Sequence, residues 1–315
     1  MFPGAPEPFI DLSTGINPHP YPLPALPPEI FARLPDRTSI RELTAVAARA
    51  YGAPSPDHVA AAPGTQILLP HVAALVAPGR AAILRTTYTE HARAAALAGH
   101  SVAEVPDADQ LRQADLAIVV NPNNPDGRIV DKAVLLNLAD DLRRRGGVLV
   151  VDESFADVAP QASLAGDVAH DNIVVLRSFG KFYGLAGLRL GFALAAPRLI
   201  SRIEAVLGPW AVAGPAIAIG KAALADDDWR RQTRQHLAAD AKRLDELLTS
   251  AGLAVIGGTS LYRLTQSPDA FEWFNWLGRV GILVRRFAEE PNWLRFGLPG
   301  GESAWRRLAD SLSRR

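Results

Sequence analysis

Ile173-Val174-Val175-Leu176-Arg177-Ser178-Phe179-Gly180-Lys181-Phe182-Tyr183-Gly184-Leu185-Ala186-Gly187-Leu188-Arg189-Leu190-Gly191 joins an apolar run to a lysine set among glycines. The opening residues are apolar and mostly β-branched, the pattern of a strand buried on both faces. Most lysines are solvated surface charges. One at the mouth of a buried strand, with Ser178 before it and Arg189 after it, is poorly explained that way. Such an amine loses hydration, its pKa falls, and it becomes able to form a Schiff base with an aldehyde.

The strand pattern recurs at 81–84, 116–120, 148–151 and 190–194. Between these runs lie segments of helical spacing: 39–50, which stops at Gly52; 65–77; and an amphipathic segment carrying Val134, Leu135, Leu138 and Leu142 on one face. Doubly apolar strands alternating with helices predict βαβ units, right-handed crossovers and a mostly parallel sheet, an α/β fold. Near Asp226 the character changes. A long charged helix over 226–250 precedes strand candidates at 261–264, 282–285 and 293–296, flanked by helices over 268–279 and 303–313. These predict a smaller α+β unit. The start of the chain is proline-rich, with His19-Pro20-Tyr21-Pro22-Leu23-Pro24 and Pro27-Pro28, so an extended but packed arm is expected. The expected division is an arm (1–35) joining the small domain, a large domain (36–225) and a C-terminal small domain (226–315).

The 315 residues carry 33 Lys+Arg against 33 Asp+Glu, so bulk charge recruits neither nucleic acid nor a membrane surface. Cysteine is absent, which excludes disulfides and thiolate metal centres and suits a reducing cytoplasm. Met1-Phe2-Pro3-Gly4-Ala5-Pro6-Glu7 lacks the basic start and apolar core of a secretory signal. No run approaches the roughly 20 apolar residues of a spanning helix. The seven histidines show no metal-ligand spacing, and no metal is expected. These features predict a soluble cytoplasmic protein acting on a small molecule.

The lysine segment resembles the cofactor-lysine signature of fold-type I pyridoxal-phosphate enzymes, the class I/II aminotransferase superfamily. A site for that cofactor needs an amine for its aldehyde and a carboxylate against the pyridine nitrogen. It also needs donors to the ring oxygen, a phosphate cup and a cation for the substrate's acid group. In an α/β sheet these lie beyond the carboxyl ends of strands. Asp152 ends the run Val148-Leu149-Val150-Val151, where a carboxylate would keep the pyridine nitrogen protonated; a strand-end aspartate in isolation caps a helix about as often. Asn124, in Asn121-Pro122-Asn123-Asn124-Pro125-Asp126-Gly127, can donate to the ring oxygen, in a stretch that alone reads as a turn. Pro63-Gly64-Thr65-Gln66 opens a helix candidate, whose N–H groups and dipole favour phosphate. Ser178 and Arg189 can add a hydroxyl and a guanidinium, and Tyr88 can stack on the ring.

These pieces match the superfamily in order and spacing over nearly the whole chain. The resemblance implies a large domain built on a mostly parallel seven-stranded sheet between helices, a smaller α+β domain, and a homodimer with active sites near the interface. It implies Lys181 as the Schiff-base lysine, Asp152 as the pyridine partner and Asn124 as the ring-oxygen donor. Gly64, Thr65, Ser178 and Arg189 would form the phosphate cup, and Arg295, in Trp293-Leu294-Arg295-Phe296, would be the arginine for the substrate's carboxylate. Two positions depart from the pattern: Phe155 stands where many members carry a tyrosine that bonds the ring oxygen, and Leu34 where relatives carry a tyrosine that reaches the neighbouring subunit's phosphate.

Four stretches resemble the threonine-phosphate decarboxylase branch of cobalamin biosynthesis: Phe9-Ile10-Asp11-Leu12-Ser13-Thr14-Gly15-Ile16-Asn17-Pro18, Gly208-Pro209-Trp210-Ala211-Val212, Gly257-Gly258-Thr259-Ser260-Leu261 and Trp293-Leu294-Arg295-Phe296-Gly297-Leu298-Pro299. That resemblance implies decarboxylation of L-threonine O-3-phosphate to (R)-1-amino-2-propanol O-2-phosphate. Histidinol-phosphate aminotransferase, with the same cofactor constellation and a phosphorylated substrate, stands as the alternative. A decarboxylase must leave the carboxylate free to depart, which anchoring the substrate's phosphate achieves. Arg285 and Arg295 are the candidate anchors, with Asn17 closing over the substrate and Trp210 either a pocket wall or a core residue.

Overall fold

The computed structural model describes residues 2–315. After a short strand β1 (Ile10–Asp11) come β2 (Val59–Ala62), β3 (Arg80–Leu84), β4 (Ser101–Val105), β5 (Leu116–Val120), β6 (Val148–Asp152), β7 (Ile173–Ser178) and β8 (Gly191–Ala195). The remainder adds β9 (Ala254–Thr259), β10 (Tyr262–Gln266), β11 (Ile282–Leu283), β12 (Arg285–Arg286) and β13 (Trp293–Gly297). A seven-stranded sheet runs in the order β2-β8-β7-β6-β5-β3-β4, and only β8 opposes its neighbours. This is the mostly parallel α/β sheet that the apolar runs predict.

Strand periodicity explains why helices cover both faces. Along β6, Leu149 and Val151 enter one apolar cluster, whereas Val148 and Val150 enter another on the opposite side. The helices Arg37–Tyr51 and Lys132–Arg143 supply Leu43 and Leu138 to the first cluster. Thr65–Ala73 and Pro197–Leu207 supply Leu68 and Ile203 to the second. Each such fully buried aliphatic side chain contributes about 1.5–3 kcal/mol. No helix among the described residues is long and apolar enough to cross a membrane.

Two strands carry no clear sequence signal. β4 lies at the sheet edge, where Ser101 and Glu104 are exposed and no doubly apolar run is needed. β9 contains Gly257 and Gly258, which weaken strand propensity, and exists through its pairing with β10. The single strand expected over 282–285 is divided because its halves find different partners. β11 pairs in parallel with β1, and β12 joins the antiparallel sheet β12-β13-β10-β9.

Between β1 and the helix Glu29–Ala32 the chain has neither helix nor strand. It is nonetheless tied down at both ends. Leu12 O accepts from Gly297 N at 2.7 Å; Asn17 N donates to Lys181 O and Tyr21 N to Tyr183 O, both at 2.9 Å. The arm thus runs from the smaller sheet to the lysine segment.

Candidate active site

β5, β6 and β7 end side by side, and the residues at and beyond their carboxyl ends border a cavity of about 340 Å³. Lys181, Asp152, Asn124 and Tyr88 line it, together with Gly64, Thr65, Ser178 and Arg189. Lys181 belongs to the short helix Phe179–Phe182 that follows β7. The segment is pinned by fully buried Phe179, Phe182 and Tyr183, with the Phe179 and Tyr183 rings stacked at 4.3 Å. Lys181 Nζ lies 5.5 Å from the Phe155 ring centre. Burial pulls its pKa down; Arg295 and Arg189 act in the same direction, and Asp152 opposes them. The amine therefore has a larger neutral, nucleophilic fraction than a surface lysine.

Asp152 is 5% exposed. His91 Nε2 lies 2.9 Å from its Oδ2, while Ser154 donates its backbone N–H at 2.9 Å and its hydroxyl at 2.5 Å to Oδ1. Burial would raise the carboxyl pKa, but His91 and the Ser154 donors together outweigh it and hold the group below the usual carboxylate range. A carboxylate so held stays ionised. His91 is a residue that sequence reasoning missed: it sits 61 positions from Asp152, in the first turn of the helix Glu90–Leu97, with no local sign of its partner.

The sign of the resulting pH dependence follows. A depressed carboxyl pKa gives a contribution that is present above the unfolded value and lost as pH falls through the folded value. Removing His91 leaves burial less opposed and raises the folded value. In a His91→Phe variant the acid limbs of activity and of cofactor absorbance are expected to move to higher pH. Titrating both signals across the acid range checks this, and unmoved limbs would count against the pairing.

Directly beneath, Arg177 is 2% exposed and bonds Glu153 at 2.9 Å and Asp157 at 2.8 Å, with its guanidinium 4.3 Å from the Tyr51 ring centre. None of these three charges lines the cavity; along β7 Arg177 alternates sides with Ser178, which does. Breaking such a buried network by removing one partner costs about 3–5 kcal/mol.

Gly64, Thr65, Ser178 and Arg189 line the cavity together and offer backbone N–H, hydroxyl and guanidinium groups, a donor set suited to an anion. Gly64 has φ +87°, and a Cβ there would lie 2.7 Å from the Arg189 guanidinium, so only glycine lets that cation approach. Arg189 itself has φ 52°, a left-handed conformation that costs a non-glycine residue about 1–3 kcal/mol. Thr65 opens the helix Thr65–Ala73, whose first N–H groups lack internal partners. Arg189→Ala is expected to weaken cofactor affinity roughly 10- to 100-fold, the loss of one charge-assisted contact of about 1.5–3 kcal/mol, without altering substrate preference. Equilibrium dialysis showing unchanged cofactor affinity would remove Arg189 from that donor set.

Arg295 is 7% exposed on β13. It donates through Nη1 to Asn124 Oδ1 and through Nη2 to Ser13 O at 2.7 Å, while its Nε has no partner. No carboxylate among the described residues pairs with it. Burial lowers its pKa to about 10, Tyr262 opposes that shift, and Arg285 adds to it. An uncompensated buried cation is costly, which marks Arg295 as a place for an anion to complete. Because Asn124 accepts through its oxygen, its NH2 group is left to donate. Arg285 is exposed on β12, directly opposite Arg295 in register; neither arginine lines the cavity, and Arg295 reaches its border through Asn124.

Two sequence expectations need correction. Asn17 does not close over the cavity. It is 2% exposed; its Nδ2 donates to Phe182 O and its Oδ1 accepts from His19 N, both at 2.8 Å, so its polar atoms are spent on the arm. Trp210 is 59% exposed and lines a different cleft, so it is not a core residue and does not line the Lys181 cavity. Phe155 does line the cavity, packed edge-on against Tyr262 at 5.0 Å. The Tyr262 hydroxyl donates to Asn123 O at 2.5 Å and so does not replace the hydroxyl that Phe155 lacks. The Asn124 loop meets the smaller sheet closely: a Cβ on Gly127 (φ +73°) would overlap Gly258 O, and Gly258 N donates to Asp126 O at 2.7 Å.

An amine with a lowered pKa, an ionised buried carboxylate, an amide donor and a donor set suited to an anion around one cavity fit pyridoxal phosphate. The model of the family described as aminotransferase class I and II matches residues 12–312. The chain belongs to this family. It is 43% identical over 307 residues to a threonine-phosphate decarboxylase of Pseudomonas aeruginosa, covering 96% of this chain and 91% of that one. It is 44% identical over 321 residues to one from a Sinorhizobium species, covering 99% and 93%. Among solved structures, histidinol-phosphate aminotransferase from Sinorhizobium meliloti in complex with pyridoxal-5'-phosphate superposes with a TM-score of 0.85. It shares 22% identity over 97% of this chain and 90% of its own, a likeness of fold.

Proposed function

We propose that this chain is a pyridoxal-phosphate-dependent decarboxylase of L-threonine O-3-phosphate, yielding (R)-1-amino-2-propanol O-2-phosphate and carbon dioxide in cobalamin biosynthesis in the cytoplasm. The near-full-length likeness to two threonine-phosphate decarboxylases carries this reading. When bound, the cofactor supplies an electron sink for the pair left when a bond at the substrate Cα breaks. Lys181 would hold its aldehyde, Asp152 its pyridine nitrogen and Asn124 its ring oxygen. Gly64, Thr65, Ser178 and Arg189 would hold its phosphate, with Tyr88 beside the ring.

The bond from Cα to the carboxylate breaks, carbon dioxide leaves, and a proton takes its place on Cα. Lys181 Nζ, with its lowered pKa, is the group suited to carry that proton. Arg295 and Arg285, opposite each other across β13 and β12, supply positive charge for the substrate's anionic end. Anchoring the phosphate rather than the carboxylate leaves the carboxylate free to depart. The test is to mix the cofactor-loaded protein with L-threonine O-3-phosphate, without any keto acid, and follow carbon dioxide and amine. Release over many turnovers is expected. Turnover only with histidinol phosphate and 2-oxoglutarate would make the enzyme an aminotransferase instead.

A homodimer belongs to the same proposal. Leu34 is 68% exposed beside one cleft and Trp210 59% exposed beside another, and both clefts share Pro35 and Asp36. Clustered apolar exposure of this kind marks a protein interface. Sedimentation velocity is expected to show a dimer that becomes monomeric in the double variant Leu34→Asp, Trp210→Asp; a monomeric parent protein would refute it.

A further inference from the structure

The histidines that are scattered in sequence are not all scattered in space. His19 comes from the arm, and His236 and Asp240 from one face of the helix Asp227–Ser250. His19 Nε2 lies 3.1 Å and His236 Nε2 3.6 Å from the same Asp240 Oδ2. The two imidazoles stack with centroids 4.4 Å apart and planes 19° apart, so their in-plane lone pairs run nearly parallel, and the exposed His236 ring must turn for both Nε2 atoms to face one ion. All three donor atoms lie within 4.8 Å of one another.

Hydrogen bonding explains only part of this arrangement. The His19 contact is a hydrogen bond, but at 3.6 Å the His236 contact is not one. Tetrahedral zinc, with ligands at about 2.0–2.2 Å, holds its donor atoms about 3.3 Å apart, and the two measured separations bracket that value. Two imidazoles and one carboxylate suit Zn²⁺, whereas Mg²⁺ and Ca²⁺ take oxygen ligands. His19 and His236 border a surface cleft of about 300 Å³, also lined by Gln232 and Thr233.

We propose that His19, His236 and Asp240 bind one Zn²⁺ ion as a structural site separate from the Lys181 cavity. Its effect would follow from the arm's anchorage. Asn17 and Tyr21, on either side of His19, bond the backbone of Lys181, Phe182 and Tyr183. An ion joining His19 to the long helix would staple the arm against the segment that carries the reactive lysine.

The test uses cofactor-loaded protein dialysed against a chelator, then titrated calorimetrically with Zn²⁺ and, separately, with Mg²⁺. The parent protein is expected to take one equivalent of Zn²⁺ and no Mg²⁺. His236→Ala and Asp240→Asn are each expected to bind at least roughly ten-fold more weakly, since even outer-shell losses at metal sites cost 10- to 100-fold. Zn²⁺ should raise the thermal midpoint of the parent protein and not that of His236→Ala. The His236 side chain is 57% exposed, so that variant is expected to fold. Absent Zn²⁺ binding, or binding equal in parent and variants, would overturn the proposal. Neither readout depends on which reaction the enzyme catalyses.

Discussion

Lys181→Ala is expected to lose the long-wavelength absorbance of the bound cofactor and to reduce turnover of L-threonine O-3-phosphate by about three orders of magnitude or more. That loss corresponds to roughly 4 kcal/mol of activation free energy at 1.36 kcal/mol per tenfold. Lys181 is the lysine that lines the cavity, and its lowered pKa suits both holding an aldehyde and carrying a proton. The substitution should spare the fold, because the segment is held by the packing of Phe179, Phe182 and Tyr183 rather than by the amine. Absorbance, released carbon dioxide and circular dichroism on one preparation separate a lost amine from a lost fold. Retained turnover in a folded variant would remove Lys181 from the chemistry.

Arg295→Met should separate function from stability. In the absence of substrate the guanidinium is buried without a carboxylate partner, and burial already pulls its pKa to about 10. Replacing an uncompensated buried cation with an apolar chain of similar length removes a desolvation cost, at the expense of the contacts to Asn124 and Ser13. The thermal midpoint of the substrate-free protein should therefore change little. Activity should fall sharply: losing one side of a buried charge pair costs about 2–5 kcal/mol, so a kcat/KM decrease on the order of 10²-fold is expected. A large drop in stability with kcat/KM preserved would show Arg295 to be a structural cation.

The residues legible in the sequence are those whose signal is local. Lys181, Ser178 and Arg189 follow an apolar strand and stand among glycines, Asp152 ends a strand, and Gly64-Thr65 opens a helix; all six line one cavity. An Asn-Pro pair carries no mark of whether its amide faces a cavity or, as for Asn17, the backbone of Phe182. Phe155 signalled a missing hydroxyl, but only the Tyr262–Asn123 bond shows that no neighbour supplies it.

Sequence alone was enough for the α/β architecture, because two-faced apolar strands of period two can be buried only in a sheet covered on both sides. It was enough, too, to single out a lysine, a carboxylate and the residues Gly64, Thr65, Ser178 and Arg189 that line the same cavity, since a strand end or a glycine turn is written within a few residues. Folding supplied the rest. His91 reaches Asp152 across 61 residues, and His19 reaches Asp240 across 221. Arg295 becomes an unpaired buried cation only once β13 lies behind the Asn124 loop. Such pairings depend on which surfaces meet when the chain closes, and no local window of sequence records that.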